Sequence, residues 1–296
     1  MKVLLTGLTG FIGQSLQPLL PAGHEYYAIV RPGGDLRAQD VGVMRGDLNN
    51  LEGLKADILR IRPELCIHLA WEGIPDYGQE VSRKNLEISS QFFQLLVDAG
   101  CRKIVSSGSC WEYGKEFGPC REDEPVGLGS HFVWAKRALY DFGMSLSKEK
   151  EVEFVWLRFF FVYGPGQRQA SLIPSLVGLL EKGEFPQVHT PGNANDFVYV
   201  DDTAGALVKA AFHQVPSGIY NVGSGAAVPV WQVCAMIEEA LGQKTKFYED
   251  LKLSGGRATA NFWADTQKTK KMMGWQAETG LKEGIQKYLR HQEAKQ

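Results

Sequence analysis

The segment Thr6-Gly-Leu-Thr-Gly-Phe-Ile-Gly13 constrains this chain more than any other, because it follows a short apolar run at residues 2–6 and leads directly into helical sequence. Three glycines at this spacing answer three steric demands. Gly7 permits a tight turn out of the strand, Gly10 lets backbone approach a pyrophosphate, and Gly13 lets the helix lie close to the sheet. A strand-to-helix turn with no ligand is the plain alternative, but strand, spacing and helix together favour dinucleotide binding. Pro18 falls within the following helix and is expected to kink or shorten it.

Further apolar runs at residues 26–30, 65–69, 103–107 and 153–159 alternate with segments of helical character, such as 85–99 with Gly100 as its stop. Strand, helix, strand in this order predicts an α/β fold with a doubly wound parallel sheet, Rossmann-like, and a smaller C-terminal substrate lobe. After Gly164-Pro165-Gly166 the pattern loosens, broken by Pro174, Pro186, Pro191, Pro216 and Pro229, and a basic helical stretch follows at 266–273. The expected division is a dinucleotide-binding domain at 1–163 with returning segments near 196–222, and a nucleotide-sugar lobe at 164–195 and 223–296.

With 44% apolar and 22% charged residues over 296 positions, the chain can bury a sizeable core and is neither disordered nor a disulfide-stapled miniprotein. Lys and Arg total 32 against 34 Asp and Glu, so no basic field exists to hold a nucleic acid. The five cysteines are odd in number and lack a C-x-x-C pair, which points to a reducing, cytoplasmic setting and away from zinc. The opening apolar run is too short for a signal segment, no stretch reaches the length of a membrane span, and no histidine spacing suggests a metal.

Cofactor choice is usually decided at the end of the second strand, where an acid receives the ribose hydroxyls and a basic residue suits a 2′-phosphate. Here the strand ends in Arg31 with no acid, so NADP(H) is favoured over NAD(H); a solvated strand-end charge is the alternative. Asp47 either contacts adenine or caps the next helix.

The order of further fragments is specific. His68-Leu-Ala70 ends a strand, Asn85 is expected to open a helix, and Ser106-Ser-Gly-Ser109 precedes Glu112-Tyr-Gly114. Phe132-x-x-x-Lys136, Arg158, Val162-Tyr-Gly-Pro165, Leu172-Ile-Pro174 and Asp196-Phe-Val-Tyr-Val-Asp-Asp202 follow, then Tyr220-Asn-Val-Gly223, Arg257 and Ala264-Asp-x-x-Lys268. Over nearly its whole length the chain resembles the extended short-chain dehydrogenase/reductases of the nucleotide-sugar epimerase/dehydratase family. That resemblance implies a dinucleotide held by Gly7, Thr9, Gly10, Phe11, Ile12 and Gly13, by Arg31, Asp47 and Leu48, and by Leu69, Ala70 and Lys136. It also implies a nucleotide-diphosphate sugar in the second lobe and a homodimer paired through two long helices.

In this family a Ser or Thr, a Tyr and a Lys act together: the phenol exchanges a proton with the sugar oxygen while the lysine lowers the phenol pKa. Ser109 and Lys136 stand at two of these positions. Phe132 stands at the third, one helical turn from Lys136, and a phenyl ring has no proton to give. Three explanations stay open: an engineered Tyr-to-Phe change with reduced activity, a protein using another group, or a silent dinucleotide and sugar-nucleotide binder. Retention of Ser109 and Lys136 favours the first.

The neighbours of Ser109 sort the reactions. Cys110 and Trp111 replace the Asp-Glu of the family's 4,6-dehydratases, which disfavours elimination. Cys110 is near but shifted from the cysteine of the 3,5-epimerases, so a buried filler is its plainer reading. Direct redox at a sugar carbon remains, either 4-keto-sugar reduction or 4-epimerisation, and Arg31 tips the balance to the reductase. Expected substrate contacts are Trp71, Ser109, Cys110, Trp111, Phe161, Arg168, Asn195 and Arg257. Phe161 and Asn195 depart from the family's Asn and Arg, leaving Arg257 and Arg168 to meet the diphosphate. Trp71, Trp111, Trp134 and Tyr163 are expected to wall the sugar with apolar surface, as a deoxysugar would suit.

Overall fold

A computed structural model describes residues 1–36, 40–127, 129–255 and 258–294. The chain opens β1 (Lys2–Thr6), α1 (Phe11–Leu16), β2 (Glu25–Val30), β3 (Val41–Arg45), α2 (Leu51–Ile61), β4 (Leu65–His68) and α3 (Gln79–Asp98). It continues through β5 (Lys103–Ser109), β6 (Phe117–Cys120), α4 (His131–Lys150), β7 (Glu153–Phe159), β8 (Phe161–Tyr163), α5 (Leu172–Leu180) and β9 (Ala194–Tyr199). The last third holds α6 (Val200–Phe212), β10 (Gly218–Val222), β11 (Ala227–Pro229), α7 (Val230–Ala240), α8 (Phe247–Ser254), β12 (Asn261–Ala264), α9 (Gln267–Met273) and α10 (Leu281–Glu293).

Seven strands make one parallel sheet in the order β10-β7-β5-β4-β1-β2-β3. Every residue of β4 and all of β7 except Glu153 are buried, as strands covered by helices on both faces must be. On one face α1 and α6 cover Val3, Leu5, Val105 and Leu157. On the other, α2, α3 and α4 pack Phe92, Phe93 and Leu139 against Leu4, Ile104 and Phe154. The strand order reverses at β1, which lies between β2 and β4, and a crevice opens there at the carboxyl ends of the strands.

The second sheet runs β11-β9-β12-β6, with β8 alongside β9. A separate core of Tyr163, Ile173, Phe197, Val233, Ile237 and Ile285 joins it to α5, α7 and α10. Within 1–163, β6 and β8 pair with β12 and β9, outside the large sheet; of the stretch near 196–222, β9 pairs in the small sheet while α6 and β10 belong with the large one.

Local differences have local causes. α1 ends at Leu16 and Pro18 sits in a 3-10 turn, Gln17–Leu19, since proline cannot donate into a continuing helix. α3 begins at Gln79 and not at Asn85; Gln79–Lys84 is polar except for Val81 and carries no apolar rhythm from which the earlier start could be read. Asn85 is instead buried inside that helix, where its side chain accepts from the Glu72 N–H (2.8 Å) and donates to the Glu72 and Val81 carbonyls. No helix among the described residues is long and apolar enough to cross a membrane.

Candidate active site

A cleft of about 810 Å³ follows the carboxyl ends of β1, β2, β4 and β5 and runs on to the small sheet's lobe. Its floor is the glycine turn. Gly7 has φ +72, and a Cβ there would come within 2.8 Å of both Ala70 N and Leu69 C, so the turn sits directly on the end of β4. A Cβ on Gly13 would overlap the Gly7 carbonyl, whereas one on Gly10 would meet only that carbonyl, at 3.1 Å, leaving its cleft side open. Gly10 caps α1 without a side-chain hydrogen bond, so the amides of the first turn remain available beside Thr9, Phe11 and Ile12, which also line the cleft. An extended anion with flanking rings fits this cradle.

Arg31 lies at the end of β2 with its side chain 70% exposed, its Nη1 3.5 Å from Glu72 Oε1. An ion pair this exposed is weak and yields readily to a phosphate. Asp47 both lines the cleft and caps the 3-10 turn Leu48–Asn50, accepting from the Asn49 N–H at 2.9 Å. The Asn49 amide bridges Asp47 and Glu72. Leu48, Leu69 and Ala70 complete this end.

At the other end stand Ser109, Phe132 and Lys136. Ser109 closes β5, and its N–H donates to Glu112 Oε1 at 2.7 Å while its Oγ accepts from the Trp111 N–H. Lys136 is 4% exposed; its ammonium donates to the Ser107 carbonyl at 2.8 Å and lies 3.8 Å from the Trp71 ring centre. Burial lowers its pKa from 10.5 to about 7, opposed by the Glu112 carboxylate. His68 behind it is driven down to about 3 by burial and by the Lys136 charge, so its ring is neutral and joined to Thr6 Oγ1 at 2.8 Å. Phe132 packs edge-on to Trp71, Tyr77 and Trp111, with ring centres 5.6, 5.1 and 6.3 Å away.

Trp71, Trp111 and the exposed Arg168 line the cleft. Three expected contacts do not reach the cleft. Cys110 turns inward with the first residue of the 3-10 turn Cys110–Tyr113 and packs on Tyr113, Cys120 and Phe160, its thiol pushed far up by burial. Phe161 on β8 packs on Phe197 and Phe262, and Asn195 is held in register between β11 and β12. Trp134 lies exposed on α4 away from the cleft, and Tyr163 is buried with its hydroxyl donating to the Leu281 carbonyl. Arg257 lies outside the described residues.

Sequence reasoning missed Glu72, Ser107, Phe160 and Tyr77, all of which line the cleft. Tyr77 left one signal: an aromatic residue between Gly73 and Gly78 in a strand-to-helix loop, where binding residues concentrate.

A doubly wound sheet with a glycine cradle at its switch point, facing a serine and a buried lysine, defines an extended short-chain dehydrogenase/reductase. The model of the NAD dependent epimerase/dehydratase family matches residues 3–223, and the chain belongs to that family. It is 25% identical to a UDP-glucose 4-epimerase of Bacillus subtilis (strain 168), over 96% of this chain and 94% of that protein. A CDP-abequose synthase of Salmonella muenchen is 22% identical over 97% of each. Among solved structures, MoeE5 in complex with UDP-glucuronic acid and NAD superposes with a TM-score of 0.84 at 27% identity, covering 100% of both chains. The UDP-glucose 4-epimerase of Thermotoga maritima with UDP-glucose has the same fold, with a TM-score of 0.86 at 19% identity, over 100% of this chain and 99% of that one.

The buried lysine carries a stability signature. The unfolded chain holds this proton up to 10.5 and the folded chain releases it near 7, so between these limits the unfolded state binds more protons and stability rises with pH. Lys136→Met is expected to remove that rise, up to about 1.4 kcal/mol per pH unit, in urea unfolding followed from pH 7 to pH 10. Parallel profiles for the two proteins would contradict it.

Proposed function

We propose that the chain is an NAD(P)-dependent oxidoreductase acting at a ring carbon of a nucleotide-diphosphate sugar, as a 4-keto-sugar reductase in the first reading. The observation that carries this is the placement of charge in the cleft. Its only carboxylates among the described residues are Asp47 and Glu72, bridged by Asn49 beside Arg31, while the end bearing Ser109 and Lys136 has none. Eliminating water from a sugar needs an acid and a base at neighbouring carbons, which that end lacks; redox needs one proton carrier beside the reacting oxygen.

Bound in the cradle, a nicotinamide dinucleotide supplies the hydride donor or acceptor. The glycine turn would hold its pyrophosphate through backbone amides, and Lys136 would hold the nicotinamide ribose. Ser109 Oγ would hydrogen-bond the sugar oxygen, and Arg168 would meet the diphosphate through a fork of N–H groups. The packed rings of Trp71, Trp111 and Phe132 would shield a bound sugar at the same end. The lobe at 1–163, with returning segments near 196–222, would carry the dinucleotide, and the lobe at 164–195 and 223–296 the nucleotide sugar.

Arg31 supports NADP(H), since the residue that directly follows β2 is this cation and not an acid. A second reading, a 4-epimerase retaining NAD, is supported by the full-length similarity to a UDP-glucose 4-epimerase and by MoeE5, whose structure holds UDP-glucuronic acid and NAD. Position 132 needs explaining in both, either as a Tyr-to-Phe change that slows turnover or by a proton carrier from elsewhere in the cleft. Five free, buried cysteines favour the cytoplasm, and the paired helices α3 and α4 offer the face for a homodimer.

Calorimetric titration of UDP-, dTDP-, CDP- and GDP-glucose, with NADPH and NADH, tests this reading. At least one sugar nucleotide should bind, NADPH should bind more tightly than NADH, and Arg31→Ala should cost NADPH about tenfold, one charge-assisted contact, while sparing NADH. Absence of any sugar-nucleotide binding would overturn the function, and an unchanged NADPH affinity in Arg31→Ala would overturn the NADP(H) reading.

A further inference from the structure

We propose that Tyr77 is the proton carrier that Phe132 cannot be. This rests on the oxidoreductase reading of the cleft and adds the residue that completes it. Tyr77 is the only phenol among the described residues that line the cleft. Its ring centre lies 5.1 Å from that of Phe132 and 5.1 Å from that of Trp111, which directly follows the Ser109 turn. It therefore packs on the very ring whose oxygen is missing. Phe132 in turn lies over the Lys136 ammonium, 5.9 Å from its ring centre.

The hydroxyl of Tyr77 is uncommitted. Tyr26, Tyr113, Tyr163 and Tyr220 each donate to a carbonyl or an amide oxygen within the protein, while Tyr140 and Tyr199, whose hydroxyls likewise have no such partner among the described residues, lie outside the cleft lining. Tyr77 makes no hydrogen bond to any other described residue, although it is half-buried in a polar-ended cleft. The loop that carries it is nonetheless held at both ends. Asn85 clamps the Glu72 backbone, the Asp76 N–H donates to the Gly73 carbonyl at 2.6 Å, and the Gly78 N–H donates to Asp76 Oδ1 at 2.8 Å. A free phenol on an anchored loop is the form a proton carrier takes.

In the reducing direction the Tyr77 O–H bond breaks and its proton passes to the carbonyl oxygen, as the carbonyl carbon accepts the hydride that the reduced dinucleotide supplies. The carbonyl becomes an alcohol, the dinucleotide is oxidised, and the phenolate recovers a proton from water at the open side of the cleft. Oxidation of the alcohol runs the same transfers backwards.

Two measurements test this. The first needs no dinucleotide: in protein labelled at the tyrosine Cζ with carbon-13, the Tyr77 signal is the one lost in Tyr77→Phe. It should move on adding whichever of UDP-, dTDP-, CDP- or GDP-glucose binds, and stay in place with the matching nucleoside diphosphate. The second is turnover with that sugar nucleotide or its 4-keto form. Tyr77→Phe should lower kcat by about 100-fold with KM within about twofold, and Phe132→Tyr added to it should recover activity. A Cζ signal indifferent to the sugar, or full kcat in Tyr77→Phe, would overturn the role of Tyr77 and leave the oxidoreductase reading standing. A wild-type protein that binds both ligands without hydride transfer would overturn both, and one that binds no sugar nucleotide would remove the reading on which Tyr77 depends.

Discussion

The buried Glu112 carboxylate joins the two sheets and the Ser109 end of the cleft. Wholly inaccessible, it accepts from the Ser109 N–H, the Trp156 indole and Arg158 Nε, the last at 2.9 Å. The Arg158 guanidinium lies 4.4 Å from the Tyr113 ring centre, and the Tyr113 hydroxyl donates to Asn221 at the end of β10. Asn221 then donates to the Cys120 and Asp265 carbonyls at the ends of β6 and β12. One chain of polar contacts thus runs from the large sheet into the small one. Removing a single member of a buried pair leaves an unmatched charge, at about 3–5 kcal/mol, so the seam tolerates little change. A second buried carboxylate, Asp196, reinforces it by accepting from the Ser224, Gly225 and Ala264 amides.

Because the same carboxylate anchors Ser109 and both lobes, the cleft's width and the position of its hydroxyl are set together. Lys136 is pinned separately, by the Ser107 carbonyl and the Trp71 face, in surroundings that make its charge costly. A lysine kept in so unfavourable a place, in a cleft and next to a neutral His68, is characteristic of a functional site. The pull of Glu112 on that lysine ties the structural seam to the electrostatics of the site.

Much of the large sheet is legible in the sequence because strands buried on both faces read as apolar runs, as Val3–Leu5, Leu65–Ile67 and Phe154–Leu157 do in β1, β4 and β7. The edge strand β3 was not visible: only Met44 is buried in it, and Gly42 interrupts the pattern. The small sheet could not be read, since β6, β9 and β12 are short strands far apart in the chain whose pairing is set only by folding. In the cleft, the glycine turn is legible from spacing, Arg31 from its place at a strand end, and Lys136 only through the family resemblance. The inward turn of Cys110 and the partnership of Glu72 with Arg31 depend on three-dimensional direction that spacing does not encode. Phe132 stands where the family resemblance leads one to expect a phenol, but Tyr77 lies far off in sequence and meets its ring only through the loop after β4.

The proposed chemistry requires a dinucleotide lying over the Gly7–Gly13 turn with its nicotinamide reaching the space between Ser109 and Lys136. A crystal structure of the ternary complex with a dinucleotide and a bound sugar nucleotide measures this directly. The nicotinamide should contact Lys136, with the hexose against Ser109 and Trp111 and its reacting oxygen within hydrogen-bond reach of Tyr77. A dinucleotide bound away from the turn, or a nicotinamide separated from the hexose by the Trp71 and Phe132 rings, would contradict the account.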